Sequence, residues 1–199
     1  MKGFCVDNIS SQNLMKSSVQ RILMLAVNSI IKLNANSAAI AALKSDILKQ
    51  YPKLEDFIEG IFPKKGPIFL GKCTNHVTVL IANNEILFFQ IRNGPWIPNL
   101  KLLHRYPFIM PQIQVDKGAI KHVLRGSNIM CPGVTSPGGK LDDVEANTVV
   151  QIRAENKEFA CAVGITTMSS KQILEINKDT CVENIHYLND GLWNCKIES

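Results

Sequence analysis

The sequence has no uninterrupted apolar run near the ~20 residues that a membrane-spanning helix needs, so we expect no such helix. It also has no Cys-x-x-Cys pair, because its six cysteines are scattered along the chain. That spacing argues against a zinc ribbon or a dense disulfide scaffold and favours a reducing, cytoplasmic setting. The 199 residues, of which 46% are hydrophobic and 20% charged, are typical of one large or two small globular domains.

Charge is distributed unevenly along the chain. Residues 1–106 contain 13 Lys and Arg against 6 Asp and Glu, whereas residues 107–199 contain 9 against 11. A basic half indicates contact with a polyanion, since neutralising phosphates releases counterions and favours binding without a sequence code. A lysine-rich solvated surface explains the charge equally well. Charge therefore raises the hypothesis of a nucleic-acid partner without establishing it.

Residues 1–32 carry conflicting signals. Two basic residues precede an apolar stretch at 22–27, as in a secretion signal, but Asn28 and Ser29 interrupt it and no clean cleavage site follows. We therefore expect a docked amphipathic helix or an N-terminal extension.

Residues 33–108 predict an α+β domain with helices on an antiparallel sheet. The expected elements are helices at 37–51 and 54–61 and strands at 68–73, 77–82 and 86–92. Asn83 and Asn84 predict a tight hairpin between the last two strands. Gly94-Pro95 breaks the strand pattern, and Trp96 after it is expected either as an exposed contact or as a loop anchor.

Residues 109–199 predict a second domain. The segment 106–111 contains two prolines and few charges, and indicates a short rigid connector. The expected elements beyond it are strands at 112–115, 128–131, 148–154, 159–166 and 185–188 and helices at 116–125 and 169–176. Many short strands with turn signals predict a small mixed β-barrel, and Trp193 is expected to plug its interior.

The predicted helix at 116–125 carries the strongest binding signal. Asp116 is a good N-cap, and the apolar residues gather on one side of a helical wheel. Lys117, Lys121 and Arg125 line the other side, where like charges spaced by four repel each other unless something such as a phosphate backbone compensates. Gly118 lies among them and allows another backbone to approach closely. The alternative is a solvated basic face with an incidental glycine.

The loop after this helix is bracketed by Gly126 and Gly133 around a short apolar strand. Each glycine allows a positive φ or a close backbone approach. A loop with exposed N–H groups beside a basic helix suits the end of a nucleic acid, although a plain turn also needs glycine.

The segment VDKGAIKHVLRGSNIMCPGV resembles the start of a PUA domain, the RNA-binding module of pseudouridine synthases and archaeosine transglycosylases. The flanking segments narrow this resemblance to the multiple-copies-in-T-cell-lymphoma (malignant T-cell-amplified sequence) translation-factor family. These segments read NEILFFQIRNGPWIPNLKLLHRYPFIMP, TSPGGK and ENIHYLNDGLW. The resemblance covers residue 33 to the C-terminus, and residues 1–32 look like an addition that this family usually lacks.

The resemblance implies a non-enzymatic protein in which an N-terminal α+β module precedes a PUA barrel, with no cofactor and no metal. It implies action on the small ribosomal subunit with density-regulated protein as partner. The implied steps are release of deacylated tRNA during ribosome recycling, reinitiation and non-standard initiation, with the PUA domain near the tRNA acceptor end. The alternative is an RNA-binding accessory module of an RNA-modification complex.

The resemblance also assigns individual positions. Those that match the RNA-facing edge of the module are Lys117, Gly118, Lys121, His122, Gly126, Ser127, Asn128, Met130, Pro132 and Gly133. Arg125 completes the basic stripe of the helix. A ribosomal-RNA contact is expected at Lys64, Lys65, Lys101 and Arg105, with solubility as the alternative role.

An enzymatic role has weak support in the sequence. A thiol enzyme would need Cys131 beside a base such as His122 or His186, and nothing in the sequence places such a pair within hydrogen-bonding distance. A small buried thiol is the commoner role. The acidic loop at 142–145 lacks recognisable ligand spacing, so we expect a solvated loop rather than a metal site.

Overall fold

The computed structural model describes residues 31–34, 36–62, 66–73 and 76–197. The predictions for residues 1–30, and those for Lys64 and Lys65, therefore lie outside the described part. Within it, the chain forms an N-terminal module (31–105) and a C-terminal module (112–197), each built on its own sheet. The predicted α+β architecture is confirmed. None of the described helices is long and apolar enough to cross a bilayer.

The N-terminal module contains a five-stranded antiparallel sheet whose strands follow chain order. The strands are β1 (Ile31–Asn34), β2 (Ile68–Cys73), β3 (Val77–Ala82), β4 (Glu85–Ile91) and β5 (Trp96–Pro98). Asn83 and Asn84 form the two-residue turn between β3 and β4, with φ angles of 51° and 58°. Asparagine tolerates this left-handed conformation, which a tight hairpin requires, and the predicted hairpin is confirmed.

Four helical segments accompany this sheet. They are α1 (Ser37–Gln50), a 3-10 helix (Pro52–Phe57), α2 (Ile58–Ile61) and α3 (Leu100–Arg105). Asn36 begins α1 by accepting a hydrogen bond from Ala39 N–H at 2.8 Å. The helix predicted at 54–61 is present, but it begins at Pro52 and is divided into the 3-10 helix and α2, because so short a segment has little helical stability of its own and takes its geometry from packing.

Both faces of β4 are buried, which explains its run of large apolar residues. Phe88 and Phe89 point to opposite faces and are both fully buried. The Phe88 ring stacks on Tyr51 at the end of α1, with ring centroids 6.2 Å apart. The Phe89 ring meets His186 of the C-terminal module edge-on at 5.9 Å. The strand is therefore enclosed by a helix of its own module on one side and by the second module on the other.

The chain returns to the sheet immediately after Gly94-Pro95. Trp96 lies in β5 and is buried, so the expectation of an exposed contact is wrong. Gln50 Oε1 accepts from Trp96 N–H at 2.9 Å, and Gln50 Nε2 donates to Trp96 O at 2.8 Å. The Tyr51 hydroxyl donates to the same carbonyl at 2.6 Å. These long-range bonds fix a strand that the local sequence does not indicate.

The C-terminal module contains a six-stranded mixed sheet in the order β7-β11-β10-β9-β6-β8. Its strands are β6 (Gln112–Val115), β7 (Ile129–Met130), β8 (Lys140–Leu141), β9 (Val149–Ala154), β10 (Ala160–Thr166) and β11 (Thr180–Tyr187). Its helices are α4 (Lys117–Val123), α5 (Pro132–Thr135) and α6 (Ser170–Ile176). β6 pairs with β9 in parallel, and the other described pairings of this sheet are antiparallel.

The apolar core of the N-terminal module extends across the junction into the C-terminal module, which has a second core of its own. Val149, Val163 and Ile185 of the second sheet belong to the same buried cluster as the first sheet. A polar contact also crosses the junction, since His104 Nε2 of α3 lies 2.8 Å from Ala160 O of β10. The orientation of one module on the other is therefore set by continuous packing.

The C-terminal turn is built around Asp190. Its Oδ2 accepts from His186 Nδ1 at 2.7 Å and from Tyr187 N–H at 3.1 Å, and its Oδ1 accepts from Trp193 N–H at 2.8 Å. The Trp193 ring lies 5.6 Å from the ring of His104 in α3. The prediction that Trp193 plugs the barrel is wrong, because this side chain packs at the junction of the two modules.

These contacts change the acidity of Asp190. Burial raises the pKa of its carboxyl, but the hydrogen bond and charge of His186 and two backbone N–H groups lower the pKa further, so that it lies below its ordinary value. A carboxyl with a lowered folded pKa stabilises the fold fully above its unfolded pKa of ~3.9. That stability is lost as the pH falls through the folded pKa.

Replacing Asp190 by Asn should lower the free energy of unfolding by about 2 kcal/mol near neutral pH, because a charged acceptor of three hydrogen bonds becomes a neutral amide. The difference between wild type and Asp190→Asn should shrink between about pH 6 and about pH 3. Urea unfolding followed by tryptophan fluorescence measures it. A difference that is the same at both pH values would contradict the assigned role of the carboxylate.

Candidate nucleic-acid interface

The predicted basic helix is α4, which is shorter than the range 116–125. Asp116 caps it, since its Oδ1 accepts a backbone N–H of the first turn at 2.9 Å. Glu155 Oε2 accepts Lys117 N–H at 2.9 Å. Two carboxylates therefore occupy donors at the helix N-terminus, which leaves those donors closed to an external anion. The helix ends at Val123, so Arg125 lies beyond its last turn.

Two cations lie on the outer side of α4, and a third follows the helix in the turn after it, so the predicted stripe of three along one helix is wrong for Arg125. Lys117, Lys121 and Arg125, here called the basic ridge, are all exposed. None of them forms an ion pair with another described residue. Because residues four apart are separated by only ~40° around a helix, the two lysines point in nearly the same direction. Their repulsion is relieved by no acidic partner within the described part of the chain, and a polyanion would relieve it.

Gly126 reverses the chain at the end of α4. Its φ of +85° lies in the left-handed region that favours glycine. Its N–H donates to Val123 O at 2.9 Å, and Ser127 N–H donates to His122 O at 3.0 Å. These bonds close the helix and direct the loop 127–130 back beside it. Gly126 is buried in this turn, so it shapes the site instead of facing a ligand.

A buried asparagine of β11 holds this loop. Asn184 Nδ2 donates to Val123 O and to Ser127 O, both at 3.0 Å. Asn184 N–H donates to Asn128 Oδ1 at 3.1 Å. Asn184 is fully buried, so these bonds are shielded from water. The residue is absent from the predicted site, because its partners Val123, Ser127 and Asn128 lie far from it in the chain and no local pattern indicates the contact.

A cavity of about 710 Å³ opens between α4, the loop 127–130 and α5, and we call it the slot. Gly133 allows α5 to approach α4, because a β-carbon at this position would lie only 3.2 Å from Ala119 Cβ. Asp116 N–H donates to Gly133 O at 2.9 Å and fixes this approach. The slot thus depends on the chain reversal at Gly126 and on the close backbone approach at Gly133.

The slot is lined mainly by small, apolar and polar groups, together with His122 and the carboxylate of Asp116. It contains no lysine or arginine, and its carboxylate, Asp116, is engaged in the helix cap. Ser127 and Asn128 supply polar groups, and Met130 stands at the lip with 49% of its surface exposed. Such a wall can accept a flat uncharged group with a polar edge, whereas a buried phosphate would lack a counter-charge.

The structure brings the eleven predicted positions together around α4. Those that line the slot are Gly118, His122, Ser127, Asn128, Met130, Pro132 and Gly133. The basic ridge holds Lys117, Lys121 and Arg125, and Gly126 lies in the turn between helix and loop. The lining residues that were not predicted are Asp116, Ala119, Val123, Ile129 and Ser136. Their contribution depends on tertiary packing, which the local pattern does not reveal.

The cations predicted to contact ribosomal RNA lie elsewhere. Lys101 Nζ stands 5.6 Å from the centroid of the Trp193 ring. Arg105 Nη2 forms a 2.7 Å ion pair with Glu85, and both side chains are about half exposed. An exposed pair of this kind is weak and can exchange partners.

The position of Cys131 does not suit a nucleophile. It is fully buried, and its Sγ donates to Lys178 O at 2.9 Å. The acidic loop has packing roles, since Asp142 accepts Gln112 N–H at 2.8 Å and Asp143 accepts the Ser170 hydroxyl at 2.6 Å. Among the described residues, no group of three or more His, Cys, Asp or Glu is arranged to hold a metal ion.

Two family models match the chain in succession. The pre-PUA-like domain matches residues 32–107, and the PUA domain matches residues 111–188. Neither of them describes a catalytic domain.

Solved structures agree at the level of the fold. A hypothetical protein from Pyrococcus horikoshii superposes with a TM-score of 0.66 at 21% identity, covering 82% of this chain and 98% of that one. A PUA-domain protein from Aeropyrum pernix gives a TM-score of 0.64 at 18% identity, covering 82% of this chain and 89% of that one.

Curated relatives narrow the assignment from the domain composition to one protein family. Malignant T-cell-amplified sequence 1 of Danio rerio is 51% identical over 160 residues, which cover 80% of this chain and 88% of the relative. Malignant T-cell-amplified sequence 2 of Homo sapiens is 49% identical over the same shares of the two chains. The Drosophila melanogaster homolog is 43% identical over 191 residues, 96% of this chain and 94% of the relative. That alignment includes most of residues 1–32, so the expectation that relatives lack this segment fails for the fly protein. The chain belongs to the malignant T-cell-amplified sequence family, with a pre-PUA-like domain followed by a PUA domain.

Proposed function

We propose that this chain is a non-enzymatic, RNA-binding translation factor that holds the acceptor end of tRNA on the small ribosomal subunit. In this proposal it works with a density-regulated protein homologue, in tRNA release during ribosome recycling, in reinitiation and in non-standard initiation. Family membership and the PUA domain support RNA binding. The observation that carries the proposal is the basic ridge, without an ion-pair partner among the described residues, immediately beside a slot whose described lining has no lysine or arginine.

The basic ridge and the slot suit different parts of a nucleotide. Ammonium and guanidinium groups on an exposed helix face bind backbone phosphates, and this contact carries no sequence information. The two carboxylates at the start of α4, Asp116 and Glu155, already occupy backbone donors there. Phosphate binding therefore falls to the side chains of Lys117, Lys121 and Arg125.

The slot suits an unpaired base. Bases of a duplex are stacked and cannot enter a cavity, whereas those of a single-stranded end are free to turn outward. Met130 and His122 line the slot and offer surfaces for a base to pack on, while Ser127 and Asn128 offer hydrogen-bonding groups. A single-stranded 3′ end that follows a short duplex supplies both the phosphates and the free bases. The acceptor end of tRNA has this form and is common to all tRNAs.

The contact with the ribosome is proposed for the N-terminal module. The excess of Lys and Arg in residues 1–106 supports contact with ribosomal RNA there. We assign this contact to Lys64, Lys65, Lys101 and Arg105. Arg105 would exchange its exposed partner Glu85 for a phosphate.

Reversing the charge of the basic ridge should abolish most of the affinity for RNA. In Lys117→Glu/Lys121→Glu the dissociation constant for an acceptor-stem minihelix ending in unpaired CCA should rise at least about tenfold at physiological salt. The slope of log affinity against log salt should fall in magnitude by about two. Fluorescence anisotropy measures both, and the thermal unfolding temperature should change little because both lysines are exposed.

The matched control is Lys157→Glu/Lys171→Glu, which changes the net charge equally within the same module at exposed positions. It should bind the minihelix within about twofold of wild type. An equal loss in both double variants would mean that only overall charge matters, and the assignment of α4 would be wrong.

Filling the slot should separate base binding from phosphate binding. Gly118→Leu places a side chain at the slot wall and raises the helix propensity of α4. Its β-carbon would lie 3.0 Å from the capping Asp116 Oδ1, which offsets this gain, so the free energy of unfolding should stay within about 1 kcal/mol of wild type. Affinity for the minihelix should fall to that for the same stem with a blunt end. Anisotropy with the two RNAs measures this, and unchanged preference for the unpaired end would show that no base enters the slot.

Sedimentation with ribosomal subunits tests the cellular role. The full chain should pellet with purified small subunits, more completely when the density-regulated homologue is present, and should remain in the supernatant with large subunits. Failure to pellet under either condition would contradict the proposal. Co-purification with an RNA-modifying enzyme instead of small-subunit RNA would favour the accessory-module alternative.

A further inference from the structure

Met130 has an unusual position for a methionine. It belongs to the edge strand β7, in which Ile129 points inward and is 2% exposed while Met130 points outward and is 49% exposed. Every other described methionine or cysteine is buried or half-buried. Met130 is therefore the most exposed sulfur-containing residue of the described part of the chain, and it stands at the lip of the slot.

Three of the described cysteines should react slowly with an oxidant. Burial raises the pKa of Cys161 to about 11 and that of Cys181 to about 12, and the proximity of Cys131 adds to the latter shift. Burial, together with the charge of Cys195, raises the pKa of Cys73 to about 11. Since the thiolate is the form that reacts, these thiols are slow to oxidise at neutral pH. A thioether needs no deprotonation, so exposure alone governs its reactivity.

A hydrogen-bond donor already faces the sulfur. The Thr180 hydroxyl, opposite Met130 in the β7–β11 pair, lies 3.6 Å from Met130 Sδ. A thioether accepts only weakly, whereas a sulfoxide oxygen is a strong acceptor. Oxidation would therefore strengthen this contact and hold a polar group at the lip of the slot.

We infer that Met130 is a site of reversible oxidation by peroxide that weakens RNA binding at the slot. The inference rests on the proposed function. The sulfur lone pair attacks one peroxide oxygen, the O–O bond breaks as the S–O bond forms, and a proton transfer completes a molecule of water. Sulfur loses two electrons and peroxide gains them. A methionine sulfoxide reductase, using a thiol reductant, reverses the step.

The loss of affinity follows from the change at the lip. An apolar, flexible side chain suited to pack on a base becomes a polar and chiral one that must be desolvated when RNA binds. Losing the burial of one methionine side chain corresponds to about a tenfold rise in the dissociation constant.

The test combines peptide mass mapping with anisotropy on the minihelix. The full chain is treated with hydrogen peroxide, and each methionine peptide is scored separately, which also covers Met1, Met15 and Met24. We expect one added oxygen on the Met130 peptide first, a dissociation constant about tenfold higher, and recovery after reductase treatment. Met130→Leu removes the oxidisable sulfur, so its affinity for the minihelix, measured before and after peroxide, should not change on treatment, whereas Met130→Gln should bind weakly without any oxidant.

Each other result overturns the inference. A Met130 peptide that stays unmodified while free methionine is oxidised would refute the reactivity, and a Met130 sulfoxide with unchanged affinity would refute the effect. Equal peroxide sensitivity in Met130→Leu would place the effect at another residue, and Met168→Leu serves as the matched control that should stay sensitive. An untreated protein that binds no minihelix would instead contradict the proposed function itself.

Discussion

Two hydrogen bonds from the Asn184 amide, to the carbonyls of Val123 and Ser127, fix the turn on which the candidate site depends. They join a central position of β11 to the end of α4, where Gly126 reverses the chain with a positive φ. Without that anchor, β7 would still pair with β11, but the turn at 124–127 would have only its own short-range bonds to hold it at the end of α4. The shape of the slot therefore depends on the sheet as well as on the helix.

The acidic and the basic groups of the site lie at different places around α4. Carboxylates of Asp116 and Glu155 face the N-terminus of α4, while the cations of the basic ridge point outward with no acidic partner among the described residues. A cavity whose described lining has no lysine or arginine thus lies beside a basic helix face. This separation is what a ligand with alternating charged and uncharged parts requires, and a polynucleotide has that pattern. The shared core between the modules holds this surface in a fixed orientation relative to the N-terminal module.

Local patterns predicted most of the regular structure, and tertiary contacts account for the misses. The strands β2, β3 and β6 have the predicted limits, and the Asn83-Asn84 turn is where its chemistry places it. Trp96 was misjudged because the bonds that bury it come from Gln50 and Tyr51, far away in the chain. The predicted positions around α4 adjoin one another because they are close in sequence. Asn184, 61 residues from Val123, could be found only in the folded chain.

The most direct test of the site is to map the bound RNA on the protein. Backbone amide shifts of the ¹⁵N-labelled chain, recorded during titration with the acceptor-stem minihelix, report which residues sense the ligand. The account predicts the largest shifts at Gly118, His122 and Ser127, with smaller ones at the amides of the basic ridge. Shifts confined to the N-terminal sheet or to α6, with the amides of α4 and its loop unchanged, would contradict it.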